Sequence, residues 1–516
     1  MGSIQSKKDG NMSSAKTKPD NYLSKSLYIR GLQCHKSLYL EKLYRDLKGE
    51  AAAKLKAVTT AETKARFDTG NMVGEAARDL FPDGVLVPYI ETENGVAEQL
   101  RLTSEAMKNG AKVIYEASFQ HDDIFVKVDI LHKGLRGREI YEVKAGTKLD
   151  PVYVDDAALQ YYVLTGAGLK VGKVCLAHIN GGYVRKGALD VQKLFTSEDI
   201  TKQVKEKQPF VIEQLKKQRR MLNGKLPEID IGPHCSDPYE CDFWDHCWKH
   251  IPDDSVFDLC GRGINPFDLY SQKKIKQKDI PLDLLNKKQR QQVVATAKKQ
   301  NAVNKKKIRE FLTTLSYPLY FLDFETFMGA IPLYDGVKPY QQVPFQYSLH
   351  YQNKKGGKLY HTEFLAKPGI DPREPLLEKM LAEIPDDVCI LTYNMTFEKK
   401  VLEELATQFP KHKKTIEKWI GNIQDLMVPF RQRVVYYWKF KGSYSIKNVL
   451  PVLVPQLSYE DLEIADGGAA MDAYHQMGAA KDNPEELAKI RENLLAYCKL
   501  DTLAMVRILE TLGELI

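Results

Sequence analysis

Between residues 111 and 179 the hydrophobic pattern changes period twice. Residues 111–119 (AKVIYEASF), 124–131 (IFVKVDIL) and 138–144 (REIYEVK) are short, β-rich runs that predict strands. Residues 152–164 read as a helix, and 171–179 (VGKVCLAHI) return to a strand pattern. Strands, then helix, then strand is an α/β core. Upstream, residues 22–47 read as helical, with Leu27, Leu38, Leu40, Leu43 and Tyr44 as apolar positions. Residues 206–222 predict a basic amphipathic helix. A second α/β pattern opens with a strand at 319–324 and continues as a meander at 346–350 and 360–364. A buried strand at 387–393 and helices at 396–405 and 484–512 complete it. Neither half repeats the other.

With 516 residues the chain is too long for one ordinary core, so two or three domains are expected. An apolar content of 43% with 28% charged residues suits a folded protein. No run of 18 apolar residues occurs, which predicts no membrane span, and the polar first twenty residues predict a disordered tail without a secretion leader. The expected organisation is therefore a tail at 1–20, a first domain at 21–255, a basic helical connector at 256–314 and a second domain at 315–516, in the cytoplasm. The net charge of +7 is unevenly spread: residues 271–310 hold 13 Lys/Arg against 3 Asp/Glu. Within that stretch Lys305, Lys306 and Lys307 are the candidate contacts to a nucleic-acid backbone.

Two acidic sets stand out. In the first, Asp129 closes the run VKVDI, and Glu142 and Lys144 share a face of YEVKA because strand side chains alternate. A hairpin brings Asp129 beside Glu142, and Glu116 in IYEASF can point into the same cleft. Paired carboxylates suit Mg²⁺ or Mn²⁺, and a lysine can orient a water or steady charge on a phosphate. In the second, Asp323 and Glu325 share a face of YFLDFET, while Tyr497 and Asp501 lie one helical turn apart in AYCKLDT. Asp425 in NIQDLM is a further acid that could serve as an outer ligand.

Cys235, Cys241 and Cys247 recur at even spacing in CSDPYECDFWDHC, and Cys34 lies far upstream. Clustered thiols in a chain without a secretion signal point to zinc or iron–sulfur. Cys175, Cys260, Cys389 and Cys498 read as ordinary buried thiols.

Residues 22–250 resemble the RecB-like branch of the PD-(D/E)xK nucleases, on Asp129, Glu142, Lys144 and Gln160. The resemblance implies that Asp129 and Glu142 bind metal, that Lys144 supports the attacking water, and that the helix carrying Gln160 contacts the substrate. That branch often places a His ligand on an early helix, where this chain has Glu75. It also implies a [4Fe–4S] cluster on Cys34, Cys235, Cys241 and Cys247, one cysteine before the core and three after it. Such a closure of about 200 residues restrains the unfolded chain by ~5 kcal/mol on loop-entropy grounds.

Residues 317–514 resemble the DnaQ-like exonucleases of the DEDDy type, with a ribonuclease H-like fold. Asp323 and Glu325 match the first motif, Tyr497 and Asp501 the last, and Glu398 after Asn394 stands where the middle Asp is usual. The tandem as a whole is similar to a family of predicted RecB-like nucleases. The resemblance implies two unlike phosphodiesterase centres, the C-terminal one trimming 3′ ends, in DNA repair, recombination or defence against foreign DNA. An RNA-processing or RNA-degrading exonuclease is the alternative, although no RNP-type strand or GxxG loop favours it. A nucleic-acid-binding scaffold with one decayed centre is another, resting on Glu75 and Glu398. No GxxxxGK[ST] loop occurs, so an ATP-driven helicase motor would be a partner.

Overall fold

The computed structural model describes residues 22–47, 55–56, 61–92 and 94–516. The tail expected at 1–20 lies outside the described residues. The chain is mixed α/β and divides into two compact units, Met1–Tyr183 with Ala188–His250, and Val184–Gly187 with Ile251–Ile516. No described helix is long and apolar enough to cross a membrane.

The first unit is built on a seven-stranded mixed sheet: β1 (Leu23–Ser24), β2 (Val85–Leu86), β3 (Val113–His121), β4 (Ile124–Gly134), β5 (Gly137–Lys144), β6 (Val171–Ile179) and β7 (Phe195–Asp199). The order is β2-β3-β4-β5-β6-β7, with β1 parallel to β4. Strands β4 and β5 join through Gly137, whose φ of +141° and close approach to the Lys170 carbonyl admit no side chain. Their register, Ile130 to Tyr141, sets Asp129 directly opposite Glu142.

The longer described helices of this unit are α1 (Lys25–Gln33), α2 (His35–Asp46), α3 (Ala61–Ala77), α4 (Gly95–Lys108), α5 (Pro151–Gly166) and α6 (Gln208–Leu222). The helix expected over residues 22–47 is thus two helices, broken where Cys34 is fully extended at φ −160°. Helix α5 starts where Asp150 caps the Val152 N–H and Pro151 fills the first position. Its Ala157, Ala158, Leu159 and Val163 are buried in the main core with Val128, Ile140 and Leu176 of the sheet.

The main segment of the second unit begins at Ile251, within the expected first domain, and takes in the whole stretch expected as a connector. That stretch is structured: α7 (Lys287–Lys298), β8 (Ala302–Val303) and α8 (Lys305–Leu312) follow a small core of Val256, Leu269, Ile280, Leu285 and Val293. Lysines dominate its composition because they fill the solvent face, while sparse apolar anchors such as Ile308 do the packing.

Beyond it lies a five-stranded sheet of β9 (Leu319–Phe327), β10 (Val343–Gln352), β11 (Leu359–Leu365), β12 (Cys389–Thr392) and β13 (Ile423–Asp425), in the order β11-β10-β9-β12-β13. The β11–β10–β9 half is antiparallel, and β9–β12–β13 is parallel. A short strand β14 (Val435–Tyr436) pairs with β8. Helices α9 (Arg373–Glu383), α10 (Met395–Gln408), α11 (Lys413–Asn422), α12 (Ile446–Leu453), α13 (Gly467–Ala479) and α14 (Pro484–Glu514) cover it. Asn483 caps the 31-residue α14. The inner face of α14 buries Tyr497, Cys498, Asp501 and Thr502. Ser348 and His350 of β10 meet the Thr502 hydroxyl at 2.7 Å.

Candidate metal centres and a cysteine cavity

In the first unit Glu142 is the hub. Its side chain is 1% exposed, and Oε1 accepts from Lys144 Nζ at 2.7 Å and Lys25 Nζ at 2.9 Å. Oε2 accepts from the buried Gln160 amide at 2.5 Å. Lys144 also bonds Asp156 Oδ2 at 2.6 Å. Asp129, across the ladder, takes the Val143 N–H at 2.6 Å. Burial works against a charge on Glu142, but Lys144 and Lys25 outweigh it and hold the carboxyl well below its ordinary range. Asp129 goes the other way: burial and the neighbouring Glu142 charge push it up to about 7. Lys144 is held well above its usual range, because Asp156 and Glu142 outweigh its burial.

Glu116 stands opposite Asp129 across the β3–β4 ladder, with φ at +56°, and pairs with Lys127 at 3.4 Å. A non-glycine residue in that region is strained by roughly 1–2 kcal/mol, a cost that functional sites tolerate. Glu75 is exposed on α3; the charges acting most strongly on Asp129 are Glu142, Lys25, Lys144 and Glu116. Gln160 is fully buried, so this residue of the helix expected to touch substrate instead orients Glu142. Lys25 and Asp156 escaped sequence reasoning. Asp156 lies one turn before Gln160 on α5, a readable signal; Lys25 comes from a helix 117 positions away and left none.

The four cysteines singled out earlier come together. Cys34, Cys235, Cys241 and Cys247 line one cavity with Ile231, Phe243, Trp244 and Trp248. Cys34 sits between α1 and α2, where burial raises its thiol against the pull of the Ser37 and Lys36 N–H groups. Gln33 Nε2 ties this corner to the cysteine loop, donating to the carbonyls of His234 (2.8 Å) and Tyr239 (2.6 Å). Among the described residues no three of the four sulfurs lie within 4.8 Å of one another. A single zinc ion with Zn–S bonds of about 2.3 Å draws its ligands closer than that.

In the second unit β9 carries Asp323 and Glu325 against Cys498 of α14. One ligand atom each from Asp323, Glu325 and Cys498 lies within 4.8 Å of the others. The Cys498 sulfur is 3.7 Å from Asp323 Oδ2, so this thiol, expected to be an ordinary buried one, belongs to the acidic site. Tyr459, absent from the sequence reading, donates to Asp501 Oδ1 at 2.6 Å. Glu398 is 2% exposed, and its Oε2 has no hydrogen-bond partner. Burial and the Asp323 charge raise Glu398 well above the carboxylate range. Asp323 and Glu325 are raised in the same way, by burial first and then by neighbouring acids. Burial lifts Asp501 to about 6 despite the bond from Tyr459. Tyr497 is pushed upward by burial and these carboxylates, so its phenol keeps its proton.

Asp425 acts on Glu398 with its charge and also pins a turn. Its Oδ1 accepts from the Asn394 and Met427 N–H groups at 3.0 and 2.9 Å, pinning the turn into α10. Asn394 occupies that turn at φ +82°, a left-handed conformation asparagine tolerates. The pinned turn places Glu398 in the first turn of α10. Lys305, Lys306 and Lys307 are exposed at the start of α8.

Residues 320–445 match a family model described as a domain of unknown function, DUF2779. The match begins in β9 and includes Asp323, Glu325, Asn394, Glu398 and Asp425, but stops short of Tyr497 and Asp501. Two curated relatives are similar over part of the chain. One is the uncharacterized protein MG366 homolog of Mycoplasma pneumoniae, 25% identical over 36% of this chain and 31% of its own length. The other is the uncharacterized protein MG366 of Mycoplasma genitalium, 23% identical over 38% of this chain and 32% of its own. The chain thus spans about a third of the length of these relatives.

Proposed function

We propose that this chain is a metal-dependent nuclease with two unlike phosphodiesterase centres, a RecB-like PD-(D/E)xK domain and a DnaQ-like DEDDy domain of ribonuclease H-like fold, acting on DNA. The observation that carries the proposal is the buried acidic set of the second unit. Asp323, Glu325 and Glu398 are raised by burial and by neighbouring acids, and Asp501 by burial; Lys447 acts on Glu325 and Asp501 from a distance, and among the described residues none of the four acids forms an ion pair. Burial of so much like charge makes physical sense if the cation is bound from solution. The order β11-β10-β9-β12-β13, with its antiparallel and parallel halves, is compatible with the expected fold.

In the C-terminal centre Asp323, Glu325, Glu398 and Asp501 would hold Mg²⁺ or Mn²⁺. Bound divalent ions would supply Lewis-acid charge for the phosphate and a more acidic attacking water. Tyr497 keeps its proton and donates toward that water, while Tyr459 fixes Asp501. The water oxygen bonds phosphorus, the bond to the 3′ oxygen breaks, and the product leaves from a 3′ end. In the N-terminal centre Asp129 and Glu142 would hold the ion. Lys144 faces the phosphate, Asp156 holds Lys144 in place, Gln160 orients Glu142, and Lys25 offsets the remaining negative charge.

Four thiols lining one cavity support a [4Fe–4S] cluster on Cys34, Cys235, Cys241 and Cys247. Its role would be structural, holding α1 to the cysteine loop.

The test uses the full chain on labelled single- and double-stranded DNA and RNA with Mg²⁺ or Mn²⁺. Lys144→Ala is expected to abolish one mode of cleavage and Asp323→Ala the other. A double variant that degrades substrate at the wild-type rate overturns both assignments.

A further inference from the structure

Two exposed tyrosines border the N-terminal carboxylate centre, and each carries a cation over its ring. Tyr239 lies between Cys235 and Cys241, 39% exposed, with the Arg66 guanidinium 5.9 Å from its ring centroid. The charges that act on its phenol include Lys144 and Asp156. Its backbone is pinned by the Gln33 amide. Tyr89 is 73% exposed, with Lys127 Nζ 5.4 Å from its centroid. Lys127 in turn reaches Glu116, which stands opposite Asp129. The Tyr89 pair is therefore one ion pair from Glu116, and the Tyr239 pair lies within electrostatic reach of Lys144 and Asp156.

Exposed aromatic rings carry a cost in apolar surface, and a single one needs no explanation. Two, each cation-bearing and each beside the same centre, form a pattern. A nucleobase offers a flat π face of the kind that stacks on tyrosine, and its phosphate offers the charge that arginine and lysine meet. A pinned backbone under Tyr239 reduces the ordering cost of binding.

Building on the nuclease reading, we propose that Tyr239 with Arg66, and Tyr89 with Lys127, are base-stacking platforms that grip a strand on either side of the phosphate placed at Asp129, Glu142 and Lys144. A base inside a duplex already has both faces covered, so the platforms select unpaired nucleotides. Neither tyrosine touches the reacting atoms; both position the strand.

The test is binding without cleavage, on the full chain in EDTA. The probe is a single-stranded oligonucleotide containing 2-aminopurine, whose fluorescence is quenched by stacking, with the same sequence as a duplex for comparison. Stacking on one aromatic residue is worth about 1–3 kcal/mol per base on alanine substitution, so Tyr239→Ala and Tyr89→Ala are each expected to weaken single-strand binding by about tenfold and to relieve the quench. Tyr239→Phe and Tyr89→Phe keep the ring and are expected to bind and quench like wild type; duplex affinity is unchanged throughout. Alanine variants that bind and quench like wild type overturn the platforms, as do phenylalanine variants that lose as much as alanine. If wild type binds neither DNA nor RNA in any form, the nuclease reading falls first and takes the platforms with it.

Discussion

Asp129 and Glu142 face each other across the β4–β5 ladder and are driven to opposite protonation states. Glu142, held by Lys144, Lys25 and Gln160, stays ionised far into acid, while Asp129 is pushed up to about 7. The difference lies in partners. Both lysines bond Glu142, whereas Asp129 has a backbone N–H and a neighbouring negative charge. One carboxylate is satisfied by two lysines and an amide, and the other by a single backbone N–H.

That asymmetry sets a pH dependence. The folded pKa of Asp129 lies above its unfolded value, so its contribution to stability is fully present below about pH 4 and is lost as pH rises through about 7. A divalent ion must displace the remaining proton. Mn²⁺ binding to an Asp323→Ala protein, followed by calorimetry, is expected to strengthen up to pH 7 and to level off above it. Asp129→Asn should bind weakly with no such slope.

Asp156→Ala leaves Lys144 and Lys25 sharing Glu142 in a buried setting. Breaking a buried ion pair from one side costs about 3–5 kcal/mol. Urea denaturation is expected to register a loss of about 3 kcal/mol, with the cleavage mode that depends on Lys144 abolished. A neutral result in both measurements would remove Asp156 from the site.

Tyr459→Phe deletes the 2.6 Å bond to Asp501. That bond holds down a carboxyl already lifted to about 6, so its loss moves the pKa of Asp501 further up. The acid limb of the pH–rate profile for 3′ trimming should shift to higher pH, with a rate loss of roughly tenfold near neutrality from an uncompensated charged hydrogen bond.

Cys241→Ala is expected to cost the protein its brown colour and most of its iron when purified without oxygen, and to lower the melting temperature. Metal analysis of the wild type decides the chemistry: zinc in place of iron, or neither metal, overturns the cluster.

Replacing Lys305, Lys306 and Lys307 with Gln should weaken DNA binding at low salt. If all three meet phosphates, the slope of log affinity against log salt falls by roughly 2–3. Unchanged affinity would leave the start of α8 a solvated helix end.

Much of this was readable along the chain. Asp129, Glu142 and Lys144 share one cleft because strand side chains alternate, and Asp323 with Glu325 follows the same rule. Tyr497 and Asp501 pair through helical spacing. The Cys498 thiol was misjudged because burial alone does not say what it is buried against; its place beside Tyr497 was the available signal. Tyr459 could not be seen, being 42 positions from Asp501 in a segment without regular period. Glu75 is exposed on α3, and its side chain forms no part of the hydrogen-bonded network around Glu142.

The sequence by itself determined which side chains share a face and which chemistries are on offer, because backbone periodicity is local and fixed by chirality and hydrogen bonding. Tertiary structure alone decided which distant residues meet: Lys25 with Glu142, Cys34 with three cysteines some two hundred positions on, Asp425 with the turn at Asn394. It also decided their charge, since ionisation depends on burial and on distances through space that no spacing along a chain encodes.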